Sequence, residues 1–253
     1  MLTAVDEILS RCGTSRSVLP PTELFNEGWM LRLVLDWLDR HRDHSHVLAF
    51  EPGARWYSES LLPSRFLPRT RGDSLAESFT HADGVIGHFT VQSGSRGDAL
   101  LDSTPKQFVV TEAKLGSSLS AGTKNAPAYD QAARNVACMA HMLAVAGVSP
   151  VSLKRLAFYV LAPRKQIGAG VFGDLLSRQS IRAKVAQRVA AYGGVHDGWF
   201  QESFLPLLER IEVEAIAWEQ VLADLPPTEE RAELERFYAQ CLAFNPLRGE
   251  SAV

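Results

Sequence analysis

The most regular hydrophobic segments of the chain are two short runs, QFVVTEAKL (107–115) and RLAFYVLAP (155–163). Both are rich in β-branched and aromatic residues, which favour strands. The second run is apolar almost throughout, as expected of a central strand that is covered on both faces. Further strands are predicted at His46–Phe50, at Arg55–Leu62 and within Thr80–Val91.

Glycine and polar residues interrupt these runs. Gly84 and Gly87 predict either a strand pair or a kinked strand within 80–91. The segments 63–78 and 93–106 are rich in Pro, Gly, Ser and charged residues, and both are predicted to be loops.

Helical periodicity marks most of the remaining chain. The first strong helix is predicted to start after Pro20 and Pro21, with Thr22 as its N-cap. Glu27 falls on its apolar stripe, where a carboxylate must be paired, bound to a metal or protonated unless it reaches water at the edge. The stripe consists of Leu24, Leu31, Val34, Leu35 and Leu38. Further helices are predicted over 126–147, 172–192, 198–222 and 228–244.

The composition is that of an ordinary globular protein, whose core is large enough to fold without a disulfide or a structural metal. The chain has 253 residues and a formal net charge of −3, which argues against nonspecific coating of nucleic acid but permits a local basic groove. Cys12, Cys138 and Cys241 lack the spacing of a zinc site or of a disulfide framework. The N-terminus has no secretory pattern and no segment has the apolar length of a membrane span, so we expect a cytoplasmic protein without membrane contact.

Charged residues at the end of the strand 107–115 carry the candidate chemistry. Side chains alternate across a strand, so Glu112 and Lys114 project from the same face as Phe108 and Val110. Such a carboxylate can hold Mg²⁺, while the ammonium orients or activates water and balances charge on a phosphate. A single carboxylate binds Mg²⁺ weakly, and Asp83 is the expected second ligand if its strand pairs with this one.

In this arrangement the carbonyl of Ala113 is a further candidate oxygen ligand, with waters completing the octahedron. Mn²⁺ is the expected substitute for Mg²⁺. Asp98 and Asp102 are alternative ligands if Asp83 does not lie on the strand that pairs with 107–115. An acidic residue followed by Glu-x-Lys is a weak pattern by itself, and its value here comes from the strand context.

In this context the chain resembles the PD-(D/E)xK nuclease superfamily, which has the restriction-endonuclease-like fold. The resemblance covers roughly 19–163 and rests on NEGWMLRLVLDWL with Glu27, THADGVIGHF with Asp83, FVVTEAK with Glu112 and Lys114, and YDQAARN with Gln131. Ala82 stands where the namesake pattern has Pro. The resemblance implies a three-layer α/β core with a mixed central sheet flanked by helices.

The resemblance also implies roles for the accessory residues. Glu27 would support the metal or the lysine, and Gln131 would place water or phosphate. A polar cluster near the start of the same helix indicates a surface that faces substrate, although a solvent-facing cluster explains it equally well. The candidate substrate-binding residues are Tyr129, Arg134, Asn135 and Lys124.

A basic face further along the chain is a weaker candidate for phosphate contact. Arg178, Lys184 and Arg188 fall within one predicted helix, and a solvated basic face is the commoner explanation of such a pattern.

We expect one domain over residues 1–253, with a core of about 19–163 and a helical C-terminal extension of about 170–245. The function expected from the resemblance is a Mg²⁺-dependent nuclease that hydrolyses DNA. The alternative is an inactive relative that serves as a nucleic-acid-binding or assembly module. The sequence does not decide whether the substrate is DNA or RNA, or whether the enzyme is an endonuclease or an exonuclease. It also leaves open whether a homodimer or a targeting partner protein is needed.

Overall fold

A computed structural model describes residues 2–92 and 94–246 of the chain. Its strands are β1 (Arg55–Leu62), β2 (Thr80–Gly87), β3 (Phe89–Val91), β4 (Ala99–Leu101), β5 (Gln107–Ala113), β6 (Arg155–Ala162) and β7 (Glu212–Ala217). Five of them form one mixed sheet in the order β1-β2-β5-β6-β7. β1, β2 and β5 pair antiparallel, whereas β5, β6 and β7 pair parallel. β3 and β4 form a separate antiparallel hairpin.

Helices cover both faces of the main sheet. They are α1 (Leu2–Ser10), α2 (Glu27–Arg40), α3 (Gln131–Ala146), α4 (Arg164–Gly168), α5 (Arg178–Ala190), α6 (Asp197–Trp199), α7 (Leu205–Arg210), α8 (Trp218–Ala223) and α9 (Glu229–Phe244). One apolar core unites α3, α5 and α7 with one face, and a second unites α2, α8 and α9 with the other. The predicted α/β class, with helices on both sides of a mixed sheet, is therefore confirmed. No helix in the described ranges has both the length and the apolarity to cross a bilayer.

The strand predictions at 107–115 and 155–163 are confirmed by β5 and β6. β5 is buried along its whole length. Phe108 and Val110 face the α3 side, while Val109 and Ala113 face the α2 side, as side-chain alternation requires. β5 lies at the centre of the sheet.

The predicted strand at His46–Phe50 is absent, although the segment is partly buried. Side chains rather than a neighbouring strand satisfy its backbone. The Arg155 guanidinium donates to the carbonyls of Val47 and Ala49, and the Gln107 amide also donates to Ala49. The apolar run therefore indicates burial but not a sheet position.

The first strong helix begins later than predicted. Thr22 lies in a 3₁₀ turn over Pro21–Glu23, and the N-cap of α2 is Asn26. The Asn26 side chain accepts a hydrogen bond from Trp29 N at 3.0 Å and donates to the carbonyl of Thr22. It therefore connects the turn to the helix, a role that Thr22 does not fill.

The segment 80–91 is a strand with a break, as the glycines predict. β2 ends at Gly87, whose φ is +155°, and β3 resumes at Phe89. A Cβ at Gly87 would lie 2.2 Å from the Gln107 carbonyl, so only glycine fits there. The predicted loop 93–106 is wrong in part because β4 lies within it.

The predicted helix 126–147 begins five residues late. α3 starts at Gln131 with Asp130 as its N-cap, and the Asp130 carboxylate accepts from Ala133 N at 3.0 Å. Residues 122–127 instead form a tight turn in which Gly122 N donates to the Pro127 carbonyl. α3 ends at Ala146, close to the predicted end, and Gly147 caps it with a left-handed backbone.

The C-terminal part is not purely helical, so the predicted helix 198–222 is wrong in part: α7 and α8 lie within it, but a strand separates them. Its middle forms β7, which pairs in parallel with β6 and completes the main sheet. In β7 the exposed Glu212 and Glu214 alternate with more buried residues, which is the pattern of an edge strand. Within the predicted helix 172–192, the α-helix is limited to α5. The last predicted helix matches α9, with Thr228 as its N-cap.

Candidate metal and phosphodiester site

The candidate site lies where β2 and β5 separate. The two strands pair from Gly87↔Phe108 to Gly84↔Thr111, and β2 then continues alongside β1 as far as Thr80. Beyond Gly84 and Thr111, β2 and β5 are no longer paired. Asp83 and Glu112 are the next residues on the two strands, and they lie at the start of this opening.

The Asp83 carboxylate takes the place of the missing strand partner. Its Oδ2 atom accepts a hydrogen bond from the backbone N–H of Ala113 at 2.8 Å. The same oxygen lies 3.4 Å from the Lys114 ammonium. Asp83 thus satisfies a backbone donor of β5 while it also faces the lysine, as expected of strands that pair up to this point.

Glu112 is fully buried and accepts from three donors. Its Oε2 atom accepts from Lys114 Nζ at 3.2 Å and from Gln131 Nε2 at 2.5 Å, and its Oε1 accepts from Asn135 Nδ2 at 2.8 Å. The Glu112 side chain is 0% exposed and the Lys114 side chain 10%. Two residues from α3, Gln131 and Asn135, therefore hold the carboxylate.

Burial and mutual repulsion shift the titration of these groups. Burial, with the charge of Asp83 as the next cause, raises the pKa of Glu112 to about 8. Burial alone would lower the pKa of Lys114, but its attraction to Asp83 and Glu112 outweighs that effect and the pKa is raised. Lys114 is therefore a cation at neutral pH.

This donor set fits a divalent cation. Two carboxylates share a single ammonium, so the group carries one excess negative charge when both carboxylates are ionised. Burial, and after it the charge of Asp83, opposes that ionised state and raises the pKa of Glu112. Oxygen donors are what Mg²⁺ and Mn²⁺ prefer. The described residues contain no group of three or more His, Cys, Asp or Glu side chains placed to hold a metal. The expected set has only two carboxylates and the Ala113 carbonyl.

Gln131 lies at this site but is fixed to the protein at both ends of its amide. Its Nε2 donates to Glu112, and its Oε1 accepts from the backbone N–H of Ser120 at 3.0 Å. The amide thus connects the loop before α3 to the carboxylate. This arrangement orients Glu112, whereas the sequence predicted that Gln131 would place water or phosphate.

The structure does not bring Glu27 into contact with the triad. Glu27 is the first residue of α2 and half-buried, and no described residue forms a hydrogen bond or ion pair with its side chain. Its charge instead acts on the buried thiol of Cys241. The structure therefore shows no contact through which Glu27 would support the metal or Lys114.

The four predicted substrate-binding residues fall in different places. Tyr129 is 2% exposed and packs edge-on against Phe66 in the core, so it offers no open surface. Asn135 is 0% exposed and holds Glu112. Arg134 donates to Ser120 Oγ at 3.0 Å, and Lys124 is exposed in the loop before α3. Only Arg134 and Lys124 keep a surface position near the start of α3.

The downstream basic residues are mostly bound to the protein itself. Arg178 donates to the carbonyls of Leu208 and Ile211. Lys184 pairs with the N-cap residue Asp130, and Arg188 is buried. Structural contacts thus account for these three residues.

The rival ligands Asp98 and Asp102 flank β4 on either side. Neither side chain forms a hydrogen bond or ion pair with Asp83, Glu112 or Lys114, all of which lie in the described ranges. Asp98 instead borders a cavity with His81.

Sequence reasoning missed the importance of Gly84. A Cβ there would lie 2.5 Å from Thr111 Oγ1 and 3.0 Å from Leu31 Cδ2. The absence of a side chain lets α2 pack closely on the sheet next to Asp83. The available signal was a glycine inside an apolar strand, which often marks close approach of another element.

Comparison of the chain with models of known protein families, with curated proteins and with solved structures found no match.

Proposed function

We propose that this protein is a metal-dependent phosphodiesterase that hydrolyses DNA, with a core of the PD-(D/E)xK, restriction-endonuclease-like type. The observation that carries the proposal is the meeting of Asp83, Glu112 and Lys114 at the separation of β2 and β5. The order of the mixed sheet, with antiparallel strands on one side and a parallel crossover through α3 on the other, supports the proposed fold type.

The residues present would hold one divalent cation. Asp83 and Glu112 would provide carboxylate oxygens, and the carbonyl of Ala113 would provide a third protein ligand. When bound, Mg²⁺ or Mn²⁺ supplies Lewis-acid polarisation of the phosphate and a lower pKa for water.

Lys114 enters this reaction as a charged donor. Because Asp83 and Glu112 raise its pKa, its ammonium is available to orient the attacking water and to balance the charge that develops on the phosphate. Gln131 and Asn135 keep Glu112 in one orientation and so act as positioning residues.

The test is cleavage of supercoiled and linear DNA, and of RNA, with Mg²⁺ or Mn²⁺. The variants Asp83→Ala and Lys114→Ala are compared with Asp102→Ala and Lys106→Ala, which change exposed residues of the same types outside the site. We expect both site variants to lose at least about 100-fold in rate and both controls to cut normally, with all folds intact by circular dichroism.

Two results would contradict the proposal. Absence of cutting on every substrate with both metals would favour a binding or assembly module. Cutting that survives both Asp83→Ala and Lys114→Ala would mean that other residues perform the reaction.

A further inference from the structure

An open cavity of about 370 Å³ lies on the same strand as Asp83, towards the start of β2. This volume falls in the range of small-ligand sites. The cavity is lined by Leu61, Ser78, Phe79, His81, Arg96 and Asp98.

The cavity and the proposed catalytic site share strand β2. His81 pairs with Leu61 of β1, and Leu61 forms a bridge with Asp98, so the three residues lie side by side across neighbouring strands. Asp83 follows His81 by two residues, about 7 Å further along β2. A ligand in the cavity would therefore lie a short distance along the strand from Asp83.

Three polar side chains that line the cavity make no hydrogen bond or ion pair that would stabilise the described part of the fold. Within the described ranges, no hydrogen bond or ion pair uses the side chains of His81, Arg96 or Asp98. Phe79 leaves 36% of its surface exposed at the cavity. An exposed polar side chain alone is usually just hydrated, but here three different ones surround a cavity together with an exposed aromatic ring.

We propose that this cavity binds one unstacked nucleobase of the DNA strand, next to the phosphodiester bond that is cut. Phe79 stacks on the base, Asp98 accepts a hydrogen bond from its exocyclic amino group, and Arg96 contacts a flanking phosphate. This inference rests on the proposed function and names the substrate as DNA with a single-stranded or locally opened segment.

The mixed chemistry of the cavity favours a base over a bare phosphate. Asp98 repels an anion, but a carboxylate is a good acceptor for the amino group of cytosine, which thymine lacks. An aromatic ring stacks on any base and needs no sequence. The cavity should therefore bind single strands broadly and prefer bases that carry an amino group.

The test measures binding without cleavage. Wild-type protein in EDTA is titrated into fluorescein-labelled single strands of ten deoxycytidines (dC10) or ten thymidines (dT10), and binding is followed by fluorescence anisotropy. We expect tighter binding of dC10, and a loss of about tenfold for Phe79→Ala on both strands. Phe79→Tyr keeps a stacking ring and should bind as wild type. Val151→Ala, which truncates an exposed apolar residue elsewhere, is the matched control.

Asp98 is tested by the ratio of the two affinities. Asp98→Asn removes a negative charge and so strengthens binding of any strand, but it should reduce the preference for dC10 over dT10 by about fivefold. Equal binding by wild type and Phe79→Ala, or no binding of either strand, would overturn the proposed subsite.

Failure of the subsite and failure of the nuclease proposal give different results. Metal-dependent cutting that Asp83→Ala abolishes but Phe79→Ala leaves unchanged in KM would reject only the subsite. Phe79-dependent binding by a protein that cuts nothing would reject the nuclease and support the cavity as a single-strand binding site.

Discussion

Replacement of Glu112 by glutamine should change how stability depends on pH. Burial and Asp83 raise the folded pKa of Glu112 from 4.5 to about 8, so the folded protein keeps a proton that the unfolded chain has already released. For a carboxyl with a raised folded pKa, stability is highest below the unfolded value and falls as pH rises towards the folded value. The amide of the Glu112→Gln variant cannot titrate and would remove this dependence.

The expected size follows from the shift. Each pKa unit corresponds to about 1.4 kcal/mol, so the complete titration of Glu112 lowers the free energy of unfolding by about 5 kcal/mol, of which roughly 3–4 kcal/mol is lost between pH 5 and 8. The side chain is fully buried, so solvent does not screen the effect. In the Glu112→Gln variant the introduced amide NH₂ group would face a hydrogen-bond donor, either that of Lys114 or that of Asn135. This unfavourable contact lowers the free energy of unfolding by the same amount at every pH.

The assay is urea unfolding in EDTA at half-unit steps from pH 5 to 8.5. The stability of Glu112→Gln relative to wild type should rise by about 3–4 kcal/mol over this range. Glu235→Gln changes an exposed side chain of α9, and the pH dependence of its stability should run parallel to that of wild type. A difference between Glu112→Gln and wild type that stays constant with pH would refute the argument that the buried carboxyl titrates near pH 8.

Three further changes test the surroundings of the site. Asn135→Ala removes a donor to Glu112 and should weaken Mg²⁺ binding by about 10- to 100-fold in calorimetry, with little change expected for Asn125→Ala in the loop before α3. Gly84→Ala should cost about 1–3 kcal/mol in urea unfolding because its Cβ meets Thr111 and Leu31, whereas Gly168→Ala meets nothing within 4 Å and should be tolerated. Thr111→Val should raise stability by about 1 kcal/mol because the buried Thr111 hydroxyl has no hydrogen-bond partner among the described atoms; a loss would show that the hydroxyl is used.

Local patterns were sufficient for the central strand. The alternation of Phe108, Val110 and Glu112 against Val109 and Ala113 depends only on strand geometry, and the structure reproduces it. The same geometry predicted that Asp83 and Glu112 would meet if their strands paired. Pairing itself is a long-range property, and the sequence indicated it only through the order of the motifs.

Patterns were insufficient where side chains replaced backbone partners. The run His46–Phe50 has the composition of a strand, yet Arg155 and Gln107 satisfy its carbonyls and no strand forms. Conversely, β7 lies among helices, and its apolar residues match helical spacing as well as strand alternation. Parallel pairing with β6 makes this segment a strand rather than a helix, and a local sequence pattern does not contain that information.

Gln131 shows a third kind of limit, because its position was predicted but the direction of its side chain was not. The loop before α3 returns close to the sheet, and the Ser120 N–H takes the amide oxygen of Gln131. With that oxygen bound, the amide nitrogen faces Glu112. The contact that decides the role of Gln131 thus comes from a loop residue that no motif singled out.

The separation of β2 from β5 gives Asp83 a structural role in addition to its proposed chemical one. Ala113 would have an unsatisfied N–H at the opening if Asp83 did not accept from it. The carboxylate that would bind the metal therefore also completes the hydrogen bonding of β5, and its orientation is fixed before any ligand arrives. Asp83→Asn separates the two roles because the amide oxygen still accepts from Ala113 while the negative charge is lost. Asp83→Ala removes both, so only the comparison of these two variants assigns a loss of activity to the metal rather than to the strand.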